Sequence, residues 1–279
     1  LLNWFPFIKY NDAGSIIMKP FANLRFFGVL QRIALCYFCA AVIIHFFKVR
    51  GAFVASCSIL LVYWLLCVAT NPLDSFSIKG WYGTLLDIKL FGTKHIYSGE
   101  GTPFDPESLF SIFAAISQVI FGYLIGNYIL TKGKTHEMLN GLFIAGCVFI
   151  FAGFCWDIVF PINKKIWTSS YVLYTTGLAM LTLGMFIYLI EFKEAKGKWS
   201  HFFDVFGKNP LFIFVLSGFL PRVLGLLRWV DHMEWTKNDL QEDVLKPVYT
   251  SALPWFYEHV CKNINSDLRV GSFIYALCF

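Results

Sequence analysis

F-F-G-V-L-Q-R-I-A-L-C-Y-F-C-A-A-V-I-I-H-F-F, residues Phe26–Phe47, carries a single formal charge, on Arg32. A helix needs ~20 mostly apolar residues to cross the hydrocarbon core of a bilayer, and this run supplies them. It predicts a transmembrane helix from about Asn23, a plausible N-cap, to Phe47. The rest of the composition agrees. Of 279 residues, 57% are hydrophobic and 15% charged, with mean hydropathy +0.60. Soluble domains run near ~25% charged, so most of this surface faces something other than water. The 31 phenylalanines suit lipid-facing helices with interfacial belts. No basic, small-residue-terminated signal sequence opens the chain, so the membrane reading rests on internal segments. The net charge of +5 sits mostly in connecting segments, which indicates orientation in a membrane and not nucleic-acid binding.

Further runs of this kind follow. A short turn, Lys48–Gly51, leads to a second span from Ala52 to Thr70, so the first two form an antiparallel pair. The long connection Asn71–Phe104 ends at Asp105-Pro106, an N-cap followed by a first-turn proline, which predicts a third span over Pro106–Leu130. The basic turn T-K-G-K-T-H-E precedes a fourth span, Met138–Phe160, closed by Pro161. A fifth runs over Thr168–Ile190 and is followed by the polar turn Glu191–His201. Asn209-Pro210 starts a sixth that reaches Leu227, with Pro221 predicted to bend it. Residues 229–270 read as an amphipathic segment on the extracytoplasmic membrane surface. The chain then begins another apolar run, G-S-F-I-Y-A-L-C-F. The expected fold is therefore all-α and polytopic, with about six complete transmembrane helices and partial helices at both ends. Residues 1–279 are expected to form a single transmembrane domain that is a fragment of a longer chain.

Cysteine usage adds no metal or disulfide framework. Cys36, Cys39, Cys57, Cys67, Cys147 and Cys155 lie in apolar runs, where they act as small hydrophobes. Lys48 and Arg50, Lys132 and Lys134, then Lys193, Lys196 and Lys198 fall in connections on one side, which the positive-inside rule makes cytoplasmic. The opposite side receives Arg25, Asp105 and the joint P-I-N-K-K-I-W-T-S-S-Y, Pro161–Tyr171. That joint carries an amide, ammonium groups, an indole and hydroxyls in a few residues. A solvated turn with an interfacial Trp would explain it, and so would the wall of a surface site.

Polar residues near the apolar runs are the site candidates. A guanidinium at Arg32 costs at least ~2.5 kcal/mol at membrane depth unless it is paired or snorkels. Asp105, Glu107 and Asp157 are its candidate carboxylates. Asp157 is also placed to pair with Lys164 or Lys165, and Asn209 is explained as an N-cap. His95 and His45 stand alone in sequence.

Four motifs, in order, resemble the heparan-α-glucosaminide N-acetyltransferase family. They are R-F-F-G-V-L-Q-R-I-A-L-C-Y at Arg25–Tyr37, F-D-P-E-S-L at Phe104–Leu109, P-I-N-K-K-I-W-T-S-S-Y-V-L at Pro161–Leu173 and F-G-K-N-P-L at Phe206–Leu211. The resemblance spans nearly the whole chain and includes bacterial membrane relatives associated with N-acetylglucosamine metabolism. It implies a membrane acetyltransferase that takes acetyl from cytoplasmic acetyl-CoA and delivers it to a glucosamine amine, as on heparan sulfate, across the membrane. By position it implies acceptor-binding roles for Gln31, Arg32, Asp105, Glu107, Lys164, Trp167 and Asn209, and catalytic donor roles for Asn163, Ser169 and Ser170. Lys48, Arg50, Lys132 and Lys134 are the cations available to coenzyme A phosphates. The family's catalytic histidine belongs to an H-x-x-W-x-G-like setting before the first motif, which nothing in Leu1–Leu24 matches; the base is expected outside this chain. The implied partners are an amino sugar or glycan end, the bilayer and, as one arrangement, a second copy in a homodimer. The expected location is a bacterial inner membrane, since no N-x-S/T sequon is present. An amino-sugar transporter and a non-catalytic membrane partner are the competing readings.

Overall fold

A computed structural model describes residues 4–11, 15–237, 243–264 and 267–278. The first three residues of the expected apolar tail, Asp12, and residues 238–242 and 265–266 of the expected surface segment lie outside the described residues. The chain divides into two compact units, Phe21–Gly197 and a second made of Leu1–Pro20 with Lys198–Phe279.

In the Phe21–Gly197 unit, α1 spans Val29–Thr70 but is broken at Lys48, whose φ of 56° and ψ of −170° are not helical. Two contacts show that its limbs fold back on each other. The Arg32 guanidinium lies 4.0 Å from the ring centroid of Trp167, and the Tyr63 hydroxyl donates to the carbonyl of the adjacent Ile166 at 2.6 Å. On an unbroken helix residues 32 and 63 would stand ~46 Å apart. The antiparallel pair is therefore present, and the reversal sits at one residue. Next comes α2, Tyr82–Phe91, inside the long connection. The remaining long helices are α3, Ile112–Lys132, α4, His136–Asp157, and α5, Ser169–Ile187, which a π-helical turn extends to Phe192. Thr135 and Thr168 cap α4 and α5, their hydroxyls accepting the Met138 and Tyr171 amides.

Both limbs of α1 pack on α3 through small residues, with Cys36, Ala40 and Ala52 against Ala115 and Ile120. Helices α4 and α5 meet at glycines. A Cβ on Gly177 would stand 2.6 Å from the Gly146 carbonyl oxygen and 2.8 Å from the Ile150 nitrogen. Without water to drive burial, close backbone approach of this sort is how membrane helices associate. The outward faces stay apolar: Phe38 is 66% exposed, Phe46 73%, Ile144 66% and Phe151 70%. Such a surface is at home in lipid and not in water. One end of the unit gathers Lys48, Lys132, Lys134 and Lys196. The other gathers Arg25, Asp105, Asp157 and the Pro161–Tyr171 joint.

In the second unit a hairpin of β1, Ile8–Tyr10, and β2, Ile16–Met18, precedes α6, Lys198–Lys208, and α7, Pro210–Leu224. Strands β3, Arg228–Lys237, and β4, Asp243–Ser251, form an antiparallel pair with a bulge between Val230 and His232. Short α8, Ala252–Phe256, and α9, Leu268–Cys278, follow.

Several boundaries need correction. The chain is mostly helical, but the two β-hairpins among the described residues depart from the all-α expectation. Among the described residues four helices are long and apolar enough to cross a membrane, or five if the bent pair α6–α7 is one span, where six were expected. The shortfall arises because the first two expected spans form one helix broken at Lys48. The sixth expected span is bent by 84° against α6, and the bend falls at Asn209, not at Pro221, which stays inside α7. Helix α1 starts at Val29 after Gly28, while Asn23 closes a 3-10 turn, Phe21–Asn23. Asp105 does not start α3, which begins six residues after Pro106 at Ile112.

Candidate functional site

The Asp105–Leu109 loop is the hub of the polar end of the Phe21–Gly197 unit. Asp105 Oδ1 accepts the Glu107 amide at 2.9 Å, an Asx-type turn that takes the cap chemistry the sequence had assigned to a helix. Arg25 Nε donates to Asp105 Oδ2 at 2.8 Å, and its Nη2 bonds to Asp105 and Glu107 together. The guanidinium also lies 5.1 Å from the centre of the Tyr97 ring. Burial alone would lower the Arg25 pKa, but the two carboxylates outweigh it and raise it above the usual arginine value. This cation is held as a charge that no accessible pH removes.

Arg32 is 7% exposed and finds a different solution from the predicted carboxylate. Its Nη1 donates to the Pro106 carbonyl at 3.0 Å, and its plane rests on Trp167, a cation–π contact. Its Nη2 is buried without a hydrogen-bond partner among the described residues. The three expected acids are spent elsewhere: Asp105 and Glu107 on Arg25, and Asp157 on the Ile162 amide at 2.5 Å. Asp157 thus pairs with neither lysine of the joint; Lys165 reaches Glu100 at 2.5 Å.

Within the joint, Thr168 organises the turn. Its hydroxyl accepts the Asn163 amide at 3.0 Å and bonds the Ser170 hydroxyl at 3.1 Å. Ser169 donates to the Leu60 carbonyl at 2.8 Å and Ser170 to the Phe160 carbonyl at 2.5 Å, and both are fully buried. Asn163 remains partly exposed, its Oδ1 accepting the Lys165 amide at 2.9 Å. Trp167 sits at φ 54° and donates its indole N–H to Gln118 Oε1 at 3.0 Å. Gln118 in turn donates to Thr175 at 3.3 Å.

The structure therefore brings together Arg32, Asp105, Glu107 and Trp167. Asn163, Ser169 and Ser170 share the joint with Trp167. It does not bring in Gln31, which is exposed on the neighbouring helix face, nor the Lys164 side chain, which is exposed. Asn209 belongs to the second unit, where its side-chain amide donates to the Val205 carbonyl at 2.9 Å and does not cap α7. At the basic end, Lys132 pairs with Glu137 at 2.6 Å and Lys134 with Glu191 at 2.9 Å. Lys48 and Arg50 are exposed, with no ion pair among the described residues.

Three residues gain a place at this end that sequence reasoning left them without. Arg25 falls on this face but carries no role there. His95 Nδ1 lies 2.8 Å from the Leu24 carbonyl, and its ring stacks on Phe26 at 4.4 Å, so it flanks Arg25. A carbonyl only accepts, so Nδ1 is the donor in this contact and Nε2 is left outside it. Asp87 on α2 is 3% exposed; its Oδ1 accepts the Leu109 amide at 3.3 Å and its Oδ2 has no partner among the described residues. Burial pushes its pKa up to about 6, with nearby Asp105 adding to the rise, against hydrogen bonds from Ser108 and Leu109. A lone acid inside L-L-D-I-K-L is the available signal for it. Among the described residues no group of three or more His, Cys, Asp or Glu is placed to hold a metal ion. Comparison with protein-family models and with curated proteins gives no match.

Proposed function

We propose that the chain is the membrane core of an acetyltransferase that moves acetyl from cytoplasmic acetyl-CoA to the amine of a glucosamine-type sugar on the far side. The observation that carries this reading is the convergence of three of the four motifs at one end of one unit. Arg25 and Arg32, the Asp105–Leu109 loop and Trp167 come from separate stretches of sequence yet meet in a single cluster, through hydrogen bonds and the Arg32–Trp167 cation–π contact. We count each limb of α1, then α3, α4, α5 and the bent pair, as six spans. The basic turns then face the cytoplasm of a bacterial inner membrane, and the cluster faces away from it.

In the reaction the sugar nitrogen attacks the thioester carbonyl. An N–C bond forms, the C–S bond breaks, the amine gives up a proton and coenzyme A leaves as its thiol. The amine attacks only as the neutral species, so a base must stand beside it. His95, anchored through Nδ1 with Nε2 outside that bond, is our candidate within this chain. The oxyanion needs donors already in place. Arg32 Nη2, buried and unpartnered, suits that task better than Ser169 and Ser170, whose hydroxyl protons are engaged by carbonyls. Asn163 and Glu107, both partly exposed, suit the sugar hydroxyls. Donor phosphates are assigned to the Lys132 and Lys134 turn of the basic end.

The test is thiol release by the full-length protein in sealed proteoliposomes, with acetyl-CoA outside and glucosamine inside. Thiol release that depends on the sugar supports the proposal; none with any amino sugar refutes it. The 84° bend of α6–α7 favours one other reading, because broken helices line substrate paths in transporters. Uptake of unmodified labelled sugar without acetyl-CoA would select it.

A further inference from the structure

A second feature of the Phe21–Gly197 unit lies outside the polar cluster. A cavity of about 370 Å³ opens between the second limb of α1, α3, α4 and α5, among Phe53, Phe121, Tyr128, Gly141, Phe149 and Met180. Its lining is apolar except for the Tyr128 hydroxyl, so it offers water almost nothing to bond.

The cavity is elongated along the helices. Its wall on α3 runs from Phe121 to Tyr128, and on α4 from Gly141 to Phe149, which correspond to ~10 Å and ~12 Å at ~1.5 Å per residue. Tyr128 is one helical turn from Lys132, and Phe53 lies five residues beyond Lys48. The slot therefore begins about one turn beneath the basic end and runs toward the membrane interior. Phe53, at its rim, is 46% exposed, so the slot opens sideways to whatever surrounds the helices. The occupant must be slender, apolar and joined to a group that stays at the basic end. Charge narrows it further: Lys132 and Lys134 are neutralised by Glu137 and Glu191, whereas Lys48 and Arg50 have no acidic partner among the described residues.

We propose that this slot holds one acyl chain of an anionic phospholipid whose phosphate sits at Lys48 and Arg50. It is a lipid site built into the helix bundle, and it stands whether or not the protein transfers acetyl groups.

The probe is phosphatidylglycerol with a photoreactive diazirine in one acyl chain, reconstituted with the full chain and mapped by peptide mass spectrometry. Labelling is expected on the segments that contain Phe53, Phe121 and Phe149. Ala145→Phe, which fills the slot from α4, is expected to reduce that labelling several-fold. Met180→Trp fills it from α5 and serves if the first variant does not fold. The Lys48→Gln/Arg50→Gln pair is expected to lower the preference for phosphatidylglycerol over phosphatidylcholine by roughly thirtyfold, at about one kcal/mol for each cation. Undiminished labelling in both filled variants would overturn the proposal. So would equal labelling by the neutral lipid. Protection by excess acetyl-CoA would assign the slot to the thioester donor instead.

Discussion

Arg25 holds two carboxylates with one guanidinium, so the cluster depends on it more than on either acid. Removing a cation from a largely buried set leaves uncompensated charge, which costs about 3–5 kcal/mol. Arg25→Met is expected to lower the thermal midpoint in detergent, read by tryptophan fluorescence, far more than Glu107→Gln. Asp87 gives the stability a pH dependence of definite sign. Its folded pKa of about 6 lies above the ordinary 3.8. Between those values the folded chain binds more protons than the unfolded one, so this contribution to stability is present at low pH and lost as pH rises through 6. A rise of that size bounds the loss at about 3 kcal/mol. Asp87→Asn is expected to stabilise the protein at pH 7.5 and to change little at pH 4.5. Equal effects at both pH values would remove Asp87 from this role. Ser170→Ala should cost about 1 kcal/mol through its lost bond to the Phe160 carbonyl, without a change in turnover per folded molecule.

The helices and turns were legible where local chemistry acted alone. Thr168 began α5 as predicted because its hydroxyl caps the next turn, and the reversal near Lys48 followed from two apolar runs too close to be anything but a hairpin. Asp105-Pro106 misled because the same carboxylate that caps a helix can fold an Asx turn and bind an arginine, and only tertiary context chooses. Arg32 was read correctly as needing compensation, but an aromatic face and a peptide carbonyl provided it, which no spacing rule reveals. The β3–β4 hairpin was missed because the bulge between Val230 and His232 breaks the two-residue alternation that marks a strand, so Trp229 and Trp235, six residues apart, fall on opposite faces. Glycine contacts between α4 and α5 were likewise invisible in sequence. They imply that Gly177→Leu, which drives a side chain into the Gly146 carbonyl, will prevent the pair from closing; a loss of monodisperse protein on size exclusion is the expected readout.

For the whole molecule, the arrangement of the Phe21–Gly197 unit sorts its connections into a basic end and a polar-cluster end. Single cysteines at Arg50 and Lys164, introduced into a cysteine-free background, are expected to react with an impermeant maleimide from opposite sides of sealed vesicles. Labelling from the same side would refute the hairpin topology of α1. That topology hangs on Lys48. Its φ of 56° and ψ of −170° lie in a region almost reserved for glycine, at a cost on the order of 1–3 kcal/mol. Lys48→Gly should therefore raise the thermal midpoint. The same torsion also sets the parity of the chain: with the break, α1 returns to the leaflet it left, and without it every later helix would thread the membrane in the inverse sense.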